Sequence, residues 1–508
     1  MRRVPLPLPL LAASFLASCT VGPDFRPPQV ATPALWGPER TDVPSRTVAA
    51  DVDKAWWRSF KDPELDALVG RLVTSNLDLR QATERVEQGV AQRRVVAAQG
   101  LPHLDYQARG YEQRYSPNGF LSLVTPAPYA PLALDDYSNA LSASWQLDLF
   151  GRVRRNVEAA RADTEASIED RRAIALMALS ELAQDYLQLR GVQDRIRIAR
   201  DNVRIEQEDV RLVEDRFRQG VATTLDLAQA RGQLAVVSAT IPPLEAQQAA
   251  LINAIGLLLA EPPRALEAEL MPPAAIPPVP PTVPVGVPGT LVRRRPDVRE
   301  AEARLHAATA RVGVAVAQFY PDVSLTGMFG ADGRIIGNAF SLPSKMYMAG
   351  PTITLPLFEG GQLRGQLQLR KSQEREAGLA FQKTVLQAWT DVDNALTAYA
   401  DVQRQRTDIT ESVKQDRTAL DAARQRYQQG AADFLNVEQA EAALLSAQDQ
   451  LSANDTQIAT SLVALYRALG GGWEAAEPPA GSKARPEPDV DAATAASSPA
   501  APRPPAAG

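Results

Sequence analysis

IEDRRAIALMALSELAQDYLQLRGVQDRIRIARDNVRIEQEDVRLVEDRF, residues 168–217, carries an apolar or small residue at every seventh position. The series is Ile168, Ala175, Leu182, Leu189, Ile196, Val203, Val210 and Phe217. A strict repeat of seven is typical of helices that supercoil around packed neighbours. Because no proline occurs between Pro131 and Pro242, residues 151–218 can form one helix of about 100 Å.

A second heptad run lies later in the chain, at Val385, Val392, Tyr399, Arg406, Val413, Leu420 and Tyr427. Each run ends near a glycine, Gly220 or Gly430, and a residue that can cap a helix follows it, Thr223 or Asp433. Glycine past a helix end and a cap soon after predict a tight turn between two helices. We therefore expect two helical hairpins, the first with a break in its returning helix at the Pro242–Pro243 pair.

The chain contains two copies of one unit. DLRQATERVEQGVAQRRVVAAQGLP (78–102) aligns without a gap on DVREAEARLHAATARVGVAVAQFYP (297–321), and residues 216–231 align on 426–441. The predicted first copy is 55–260, with a β-hairpin at about 101–149 and a coiled-coil hairpin at about 150–260. The second is 291–473, with a β-hairpin at about 320–358 and a coiled-coil hairpin at about 359–470.

Three shorter segments complete the layout. Leu65, Leu72, Leu79 and Val86 lie seven apart and predict one helix at the start of the first copy. Residues 261–290 are rich in proline, so we expect an extended, non-helical connector between the copies. Residues 474–508 are rich in proline and alanine, which predicts a disordered tail.

The two predicted β-hairpins have one apolar face. In NALSASWQLDL (139–149), apolar and polar residues alternate, which is the strand period. Four such strands are too few to close a transmembrane barrel, and lipid does not tolerate open sheet edges. Strands in a membrane must therefore be pooled from several protomers, with the long hairpins extending the barrel as a helical tube. The predicted fold is mainly α with a small β part.

The N-terminus has the pattern of a secretory signal. Arg2 and Arg3 precede an apolar segment, and LASC ends at Cys19, the only cysteine of the chain. This pattern resembles a bacterial lipobox, in which cleavage leaves an acylated cysteine as the first residue. We expect a signal peptide at 1–18 and a lipid-anchored segment at 19–54.

Composition excludes several classes of function. A net charge of −6 argues against a nucleic-acid binder. The two histidines are far apart, and no Cys/His/carboxylate cluster has metal-ligand spacing, so we expect no metal and no cofactor. G-x-S-x-G and HExxH motifs are absent, which disfavours an enzyme. A lipid-anchored coiled-coil scaffold without a pore stays open as an alternative, although it would not need the alternating strands.

Four motifs together resemble the outer-membrane factors of tripartite efflux pumps, the TolC-like proteins, and specifically their NodT-type lipoproteins. They are CTVGPDFRPP (19–28), AWWRSFKDPELDALV (55–69), VPGTLVRRRPDVREAEARL (287–305) and LYRALGGGW (465–473). The resemblance implies a homotrimer whose strands form a twelve-stranded barrel in the outer membrane, continued by a periplasmic α-helical barrel. It also implies an exit duct for drugs or toxic compounds. The duct receives them from an inner-membrane transporter of the resistance-nodulation-division type through a periplasmic membrane-fusion adaptor.

The resemblance also assigns candidate residues at the periplasmic end. The family's gate aspartate and tyrosine fall on Asp226 and Tyr427, and its entrance ring falls on Asn436 and Gln439, with Asp433 as a substitute acid. The adaptor is expected to dock near Gly220 and Gly430. Two plainer roles stay open: Asp226 can stabilise a helix N-terminus, and Tyr427 can be heptad packing. Ala432 stands where TolC has a gate arginine, so that bond is expected to be missing.

Overall fold

A computed structural model describes residues 20–29, 32, 36, 42–116, 118 and 133–477 of the chain. The predicted signal peptide, the candidate lipidation site Cys19 and residues 478–508 of the predicted tail lie outside these ranges. The described chain is mainly helical with a small sheet part, which confirms the predicted fold class.

The elements of the first copy follow in chain order. They are β1 (Arg46–Val48), α1 (Pro63–Ser75), α2 (Leu77–Ala98), β2 (His103–Arg114), β3 (Ala133–Leu147), α3 (Arg152–Arg218), α4 (Thr224–Ser238), α5 (Ile241–Leu258) and α6 (Glu267–Leu270). A 3₁₀ turn at Trp56–Phe60 precedes α1.

The elements of the second copy repeat most of this order. They are β4 (Thr282–Pro284), α7 (Pro288–Arg294), α8 (Pro296–Ala317), β5 (Asp322–Gly333), β6 (Lys345–Thr354), α9 (Gln362–Gln428) and α10 (Phe434–Ala468). Short 3₁₀ turns lie at Asn338–Phe340, Leu342–Ser344 and Trp473–Ala476.

Two helices of 67 residues, α3 and α9, dominate the structure. At 1.5 Å per residue each is about 100 Å long. The heptad positions Leu182, Leu189 and Ile196 of α3 are buried, so the seven-residue repeat forms the packed face. The predicted break at the proline pair is present, because α4 ends at Ser238 and α5 starts at Ile241 with proline in its first turn.

The helix predicted through Leu65 and Val86 is two helices. Asn76 separates α1 from α2: its side-chain oxygen accepts from the Leu79 N–H at 2.9 Å and its amide donates to the Leu258 carbonyl at 2.9 Å. An asparagine can cap a new helix and so stop the previous one. The heptad spacing crosses this break, which is why spacing alone did not reveal it.

The connector at 261–290 is not wholly extended. The stretch between Pro263 and Pro272 contains no proline, and its Glu267–Leu270 part forms the short helix α6. Strand β4 then pairs in parallel with β1, with Thr47 opposite Val283. No sequence pattern predicts this two-stranded sheet, because each strand is only three residues long.

The predicted tail begins too early. Residues 474–477 lie against α3 rather than apart from it: Glu477 accepts from Arg172 at 2.7 Å, and the Arg172 guanidinium lies 4.6 Å from the centre of the Trp473 ring. Ala476 is buried. The packed body therefore extends at least to residue 477.

The main core lies where α1, α3, α5, α9 and α10 meet the connector. Trp56 is fully buried, stacks on Tyr466 at 5.1 Å and donates to the Gly471 carbonyl at 3.0 Å. Trp57 is also buried and donates to Asp66. Both tryptophans are therefore core residues, and Trp56 joins the two copies. Over the described residues, no helix has the length and apolarity needed to cross a membrane.

Candidate functional site

One four-stranded antiparallel sheet joins the two copies, in the order β2-β3-β5-β6. The β3–β5 ladder connects the copies, with Leu141 opposite Phe329 and Trp145 opposite Leu325. This register puts apolar residues of all four strands on one face. They include Leu104, Tyr106, Leu141, Trp145, Leu325, Phe329, Tyr347 and Ile353.

The opposite face of the sheet is mostly polar or small. It carries Gln107, Arg109, Ser142, Ser144, Gln146, Ser324, Thr326 and Thr352. On the apolar face, Tyr347 is 79% and Ile353 is 68% exposed in the single chain. Strands β2 and β6 have no further partner within the described sheet. A sheet with one exposed apolar face and two open edges is suited to lipid only when other strands complete it.

A strap of extended chain, residues 20–25, lies between the two copies. The Val21 N–H donates to the Phe150 carbonyl at 3.3 Å, and Thr20 packs on Gly151 at the start of α3. Arg155, whose side chain is 5% exposed, donates to Asp24 at 2.7 Å and to the Val21 carbonyl at 3.3 Å. The first described residue after Cys19 is thus fixed where strand β3 passes into helix α3.

Two glycines allow the strap to lie this close. Gly22 has φ +97, and a Cβ on it would lie 2.5 Å from the Gly313 Cα of α8. A Cβ on Gly313 would in turn lie 2.9 Å from the Arg155 side chain. At its far end, Phe25 stacks on His306 at 4.4 Å, and His306 contacts Glu158 at 3.0 Å. His306 therefore has a structural role as a platform for the strap.

We expect Gly22→Ala to release the strap, because alanine is strained at positive φ and its Cβ meets backbone. The combined effect is about 2 kcal/mol or more. Chymotrypsin cleavage after Phe25 in the folded protein should become at least about tenfold faster. Gly70→Ala is the matched control, since nothing lies within 4 Å of its Cβ. Equal cleavage of the Gly22 variant and the control would contradict the role of this contact.

The first hairpin tip turns at Gly220, with φ +75, and is closed by a capping box. Asp226 Oδ2 accepts from the Thr223 N–H at 2.7 Å and from the Thr223 hydroxyl at 2.8 Å, while the Asp226 N–H donates to Thr223 Oγ1 at 3.2 Å. Within the chain, Asp226 stabilises the start of α4. This is the plainer of its two predicted roles.

The second tip turns at Gly430, with φ +71. Tyr427 is buried against Phe434, with ring centres 5.3 Å apart, and Arg216 of the first hairpin lies 4.4 Å above its ring. Arg216 also donates to the Tyr427 carbonyl at 3.1 Å. Tyr427 thus packs at a heptad position, and its contact with Arg216 connects the two tips.

The candidate entrance residues lie on the surface of the second tip. Asp433, Asn436 and Gln439 are exposed, and the Asn436 amide donates to the Asp433 carbonyl at 3.3 Å. Asp433 stands at the predicted cap position of α10, but its side chain makes no capping hydrogen bond. The structure brings these three residues together near Gly430 and leaves Asp226 on the other tip.

Sequence reasoning missed three charged residues between the hairpins, Glu206, Arg424 and Glu441, which come from three different helices. Arg424 donates to Glu441 at 2.9 Å, and the charge of Glu206 interacts with both. The sequence does contain a signal for Glu206. Buried apolar residues recur every seven positions at Val192, Ala199 and Val213, and Glu206 occupies the position of this series between Ala199 and Val213. A charge at a buried heptad position marks either a partner or a perturbed pKa.

The family model described as Outer membrane efflux protein matches residues 68–261 and 287–471, one segment in each copy. The chain belongs to the outer membrane efflux protein family. Its members are channel proteins, and the chain is accordingly an outer-membrane efflux protein with a periplasmic helical extension.

Relatives match along nearly the whole chain. The pyoverdine export outer membrane protein OpmQ of Pseudomonas putida is 33% identical over 481 residues, covering 94% of this chain and 98% of its own. Nodulation protein T of Rhizobium leguminosarum is 32% identical, with 92% and 93% covered. The solved structure of the outer-membrane channel OprN has a TM-score of 0.81 at 33% identity, covering 90% of this chain and all of its own. The resemblance inferred from the four sequence motifs is confirmed.

Proposed function

We propose that this outer membrane efflux protein is the exit duct of a tripartite efflux system and works as a homotrimer. Three copies of the four-stranded sheet make a barrel of twelve strands, and the long hairpins below it make a helical tube. The observation that carries this proposal is the exposed apolar face of a sheet with two open edges, set on hairpins of about 100 Å.

Closure follows from the properties of the sheet edges. Strand β6 of one protomer can pair with β2 of the next, because both edges are free in the described chain and the sheet is antiparallel throughout. A cyclic trimer repeats this contact until no edge remains. A scaffold without a pore would have no use for a sheet that is apolar on one face and polar on the other.

The lipid is an additional anchor in this proposal. Acylation of Cys19 after removal of residues 1–18 would attach chains directly before the strap, at the level where the sheet meets the helices. Several acyl chains on one residue give stable anchoring, since each buried CH₂ contributes about 0.8 kcal/mol. The sheet and the lipid would then hold the protein in the same membrane.

The partners follow from the two ends of the tube. We propose that a periplasmic adaptor docks at the tips around Gly220 and Gly430 and connects them to a resistance-nodulation-division transporter. The relatives are named for different cargoes, including pyoverdine and toluene. For this chain we propose small toxic molecules as cargo and no chemistry in the duct itself, with Asp226, Tyr427, Asp433, Asn436 and Gln439 controlling entry.

Conductance in planar lipid bilayers tests the duct. We expect low conductance from the purified wild type and a several-fold increase from Asp226→Ala, since the capping box contributes about 1 kcal/mol to the closed tip. Asp215→Ala is the control, because it removes only an exposed ion pair with Arg218 near the same turn. Purified protein that never conducts, even as Asp226→Ala, would contradict the duct and favour the scaffold.

A further inference from the structure

Four ionisable side chains, the latch cluster, meet between the two hairpins of one chain. They are Glu206 and Asp209 of α3, Arg424 of α9 and Glu441 of α10. Arg424 Nη2 donates to Asp209 at 2.7 Å and to Glu441 at 2.9 Å. A single guanidinium group therefore connects the first hairpin to both helices of the second.

The latch cluster is shielded from solvent. Glu206 and Glu441 are each 3% exposed, and the surrounding residues Val210, Val213, Leu420, Val437 and Leu444 form an apolar cluster. Within the described part of the chain, Glu206 Oε1 and Arg424 Nε have no hydrogen-bond partner. The cluster therefore combines burial with incomplete pairing, which is unfavourable when all members are charged.

Three carboxyl groups face one guanidinium, so full ionisation would leave a buried excess of negative charge. Burial, together with repulsion by Asp209, raises the pKa of Glu206 to about 7. Burial, together with repulsion by Glu206 and Asp209, raises the pKa of Glu441 to about 8 against the opposing effect of Arg424. When protonated, Glu441 is also hydrogen-bonded to Asp209.

The remaining groups around the cluster come from α4 and α10. Gln233 of α4 hydrogen-bonds Glu206, and Glu438 of α10 adds a further negative charge near it. Glu438 in turn is repelled by Asp226 of the first tip. Arg424 is the cation that faces Glu206 and Glu441, and no element brings a second one to them among the described interactions.

We propose that the latch cluster is a protonation-dependent lock that holds the two hairpins of each chain together near the periplasmic tip. With two carboxyl groups protonated, Arg424 balances the one remaining carboxylate and the hairpins pack tightly; with one protonated, a single excess negative charge remains. With all three ionised, their repulsion favours separation of α3 from α10. The consequence for opening of the tube rests on the proposed duct, whereas the lock itself is a property of the chain.

The direction of the pH effect follows from the raised pKa values. A carboxyl group with a pKa above its unfolded value stabilises the packed state fully below the unfolded pKa, and that stabilisation is lost as the pH rises through the folded pKa. The tip should therefore be most tightly packed at mildly acidic pH. It should loosen as the pH rises through about 7 and about 8.

Hydrogen–deuterium exchange of the purified full-length protein tests the lock, with rates expressed as protection factors to remove the intrinsic effect of pH. We expect peptides from 200–230 and 420–445 to lose protection by about tenfold or more between about pH 5.5 and about pH 8.5, since one pKa unit corresponds to tenfold. Peptides around the core residues Leu182 and Leu189 should keep theirs. Unchanged protection of the wild-type tip would overturn the proposal without any variant.

Variants identify the groups responsible. Glu206→Gln with Glu441→Gln imitates the protonated cluster, so the tip should stay protected at the higher pH. Glu208→Gln is the matched control on the same helix, because Glu208 is exposed and pairs only with Arg204 at 3.1 Å. A double variant that keeps the wild-type pH dependence would overturn the assignment. Absence of conductance would contradict the duct and leave this test unaffected.

Discussion

Gly330→Ala should abolish assembly of the sheet. A Cβ on Gly330 would lie 2.1 Å from the Asn139 carbonyl oxygen and 2.7 Å from the Ala140 Cα, so it meets the backbone of the paired strand. Side chains can rotate away from such a contact, but the backbone of β3 cannot move without breaking its ladder with β5. Because overpacking against movable side chains already costs about 1–3 kcal/mol, a backbone clash should cost at least the upper end of that range.

Heat-modifiable migration in gels and the amount of protein in the outer-membrane fraction measure this effect. Gly330→Ala should give little or no folded protein in the membrane. Gly327→Ala is the control on the same strand, since the nearest atom to its Cβ is the Met348 carbonyl at 4.0 Å. Alanine at 327 should be neutral or slightly favourable, because glycine weakens a strand interior. Normal assembly of the Gly330 variant would show that the β3–β5 register is different from the one described.

Arg295→Ala should have the largest effect in the helical body. The Arg295 side chain is 11% exposed, and its guanidinium donates to Asp297 at 2.8 Å and to Asp391 at 3.1 Å. It also donates to the Ala468 carbonyl at the end of α10 at 3.1 Å. One side chain thus holds the α7–α8 junction against α9 and α10. Removal leaves the buried Ala468 carbonyl without this donor, whereas the Asp297 and Asp391 side chains, 39% and 34% exposed, can still reach water. We therefore expect a loss of about 2–3 kcal/mol, below the value for a fully buried pair.

Thermal unfolding followed by far-UV circular dichroism measures this loss, with Arg293→Ala as the control because Arg293 is exposed two residues earlier. Arg295→Lys should recover only part of the stability, since an ammonium cannot reproduce the forked contacts to two carboxylates and a carbonyl. If the Arg293 and Arg295 variants unfold at the same temperature, the guanidinium contacts do not stabilise the body.

The sequence patterns predicted the large elements because each depends on a period that packing imposes. Leu182, Leu189 and Ile196 lie seven residues apart because that spacing returns to the same buried face of the helix. Leu141 and Trp145 are separated by an even number of residues because alternate residues of a strand lie on the same face of the sheet. The duplication added a second, independent copy of both patterns. Gly220 and Gly430 marked the turns because the turns need a positive φ, which few residues other than glycine adopt without strain.

The missed features depend on contacts between residues far apart in sequence. Strands β1 and β4 are too short to show a period, and they pair across more than two hundred residues. Asn76 ends a helix through the Leu258 carbonyl, which belongs to another element. The partners of Glu206 and Arg424 likewise come from other helices, so charge and spacing along the chain did not reveal them. The short motifs around Gly220 and Gly430 located the tips, but they did not predict which contacts the candidate residues make there.

The strap would fix the depth at which acyl chains on Cys19 enter the membrane. A lipid on a long, loose linker could enter the bilayer at any level within reach of the linker. Here Thr20 packs on Gly151 and the Val21 N–H donates to the Phe150 carbonyl, so the chain directly after Cys19 is held in place. Acyl chains on Cys19 would enter the membrane at one height, set by the point where β3 becomes α3. The acyl chains and the sheet would then be held at a fixed height relative to one another.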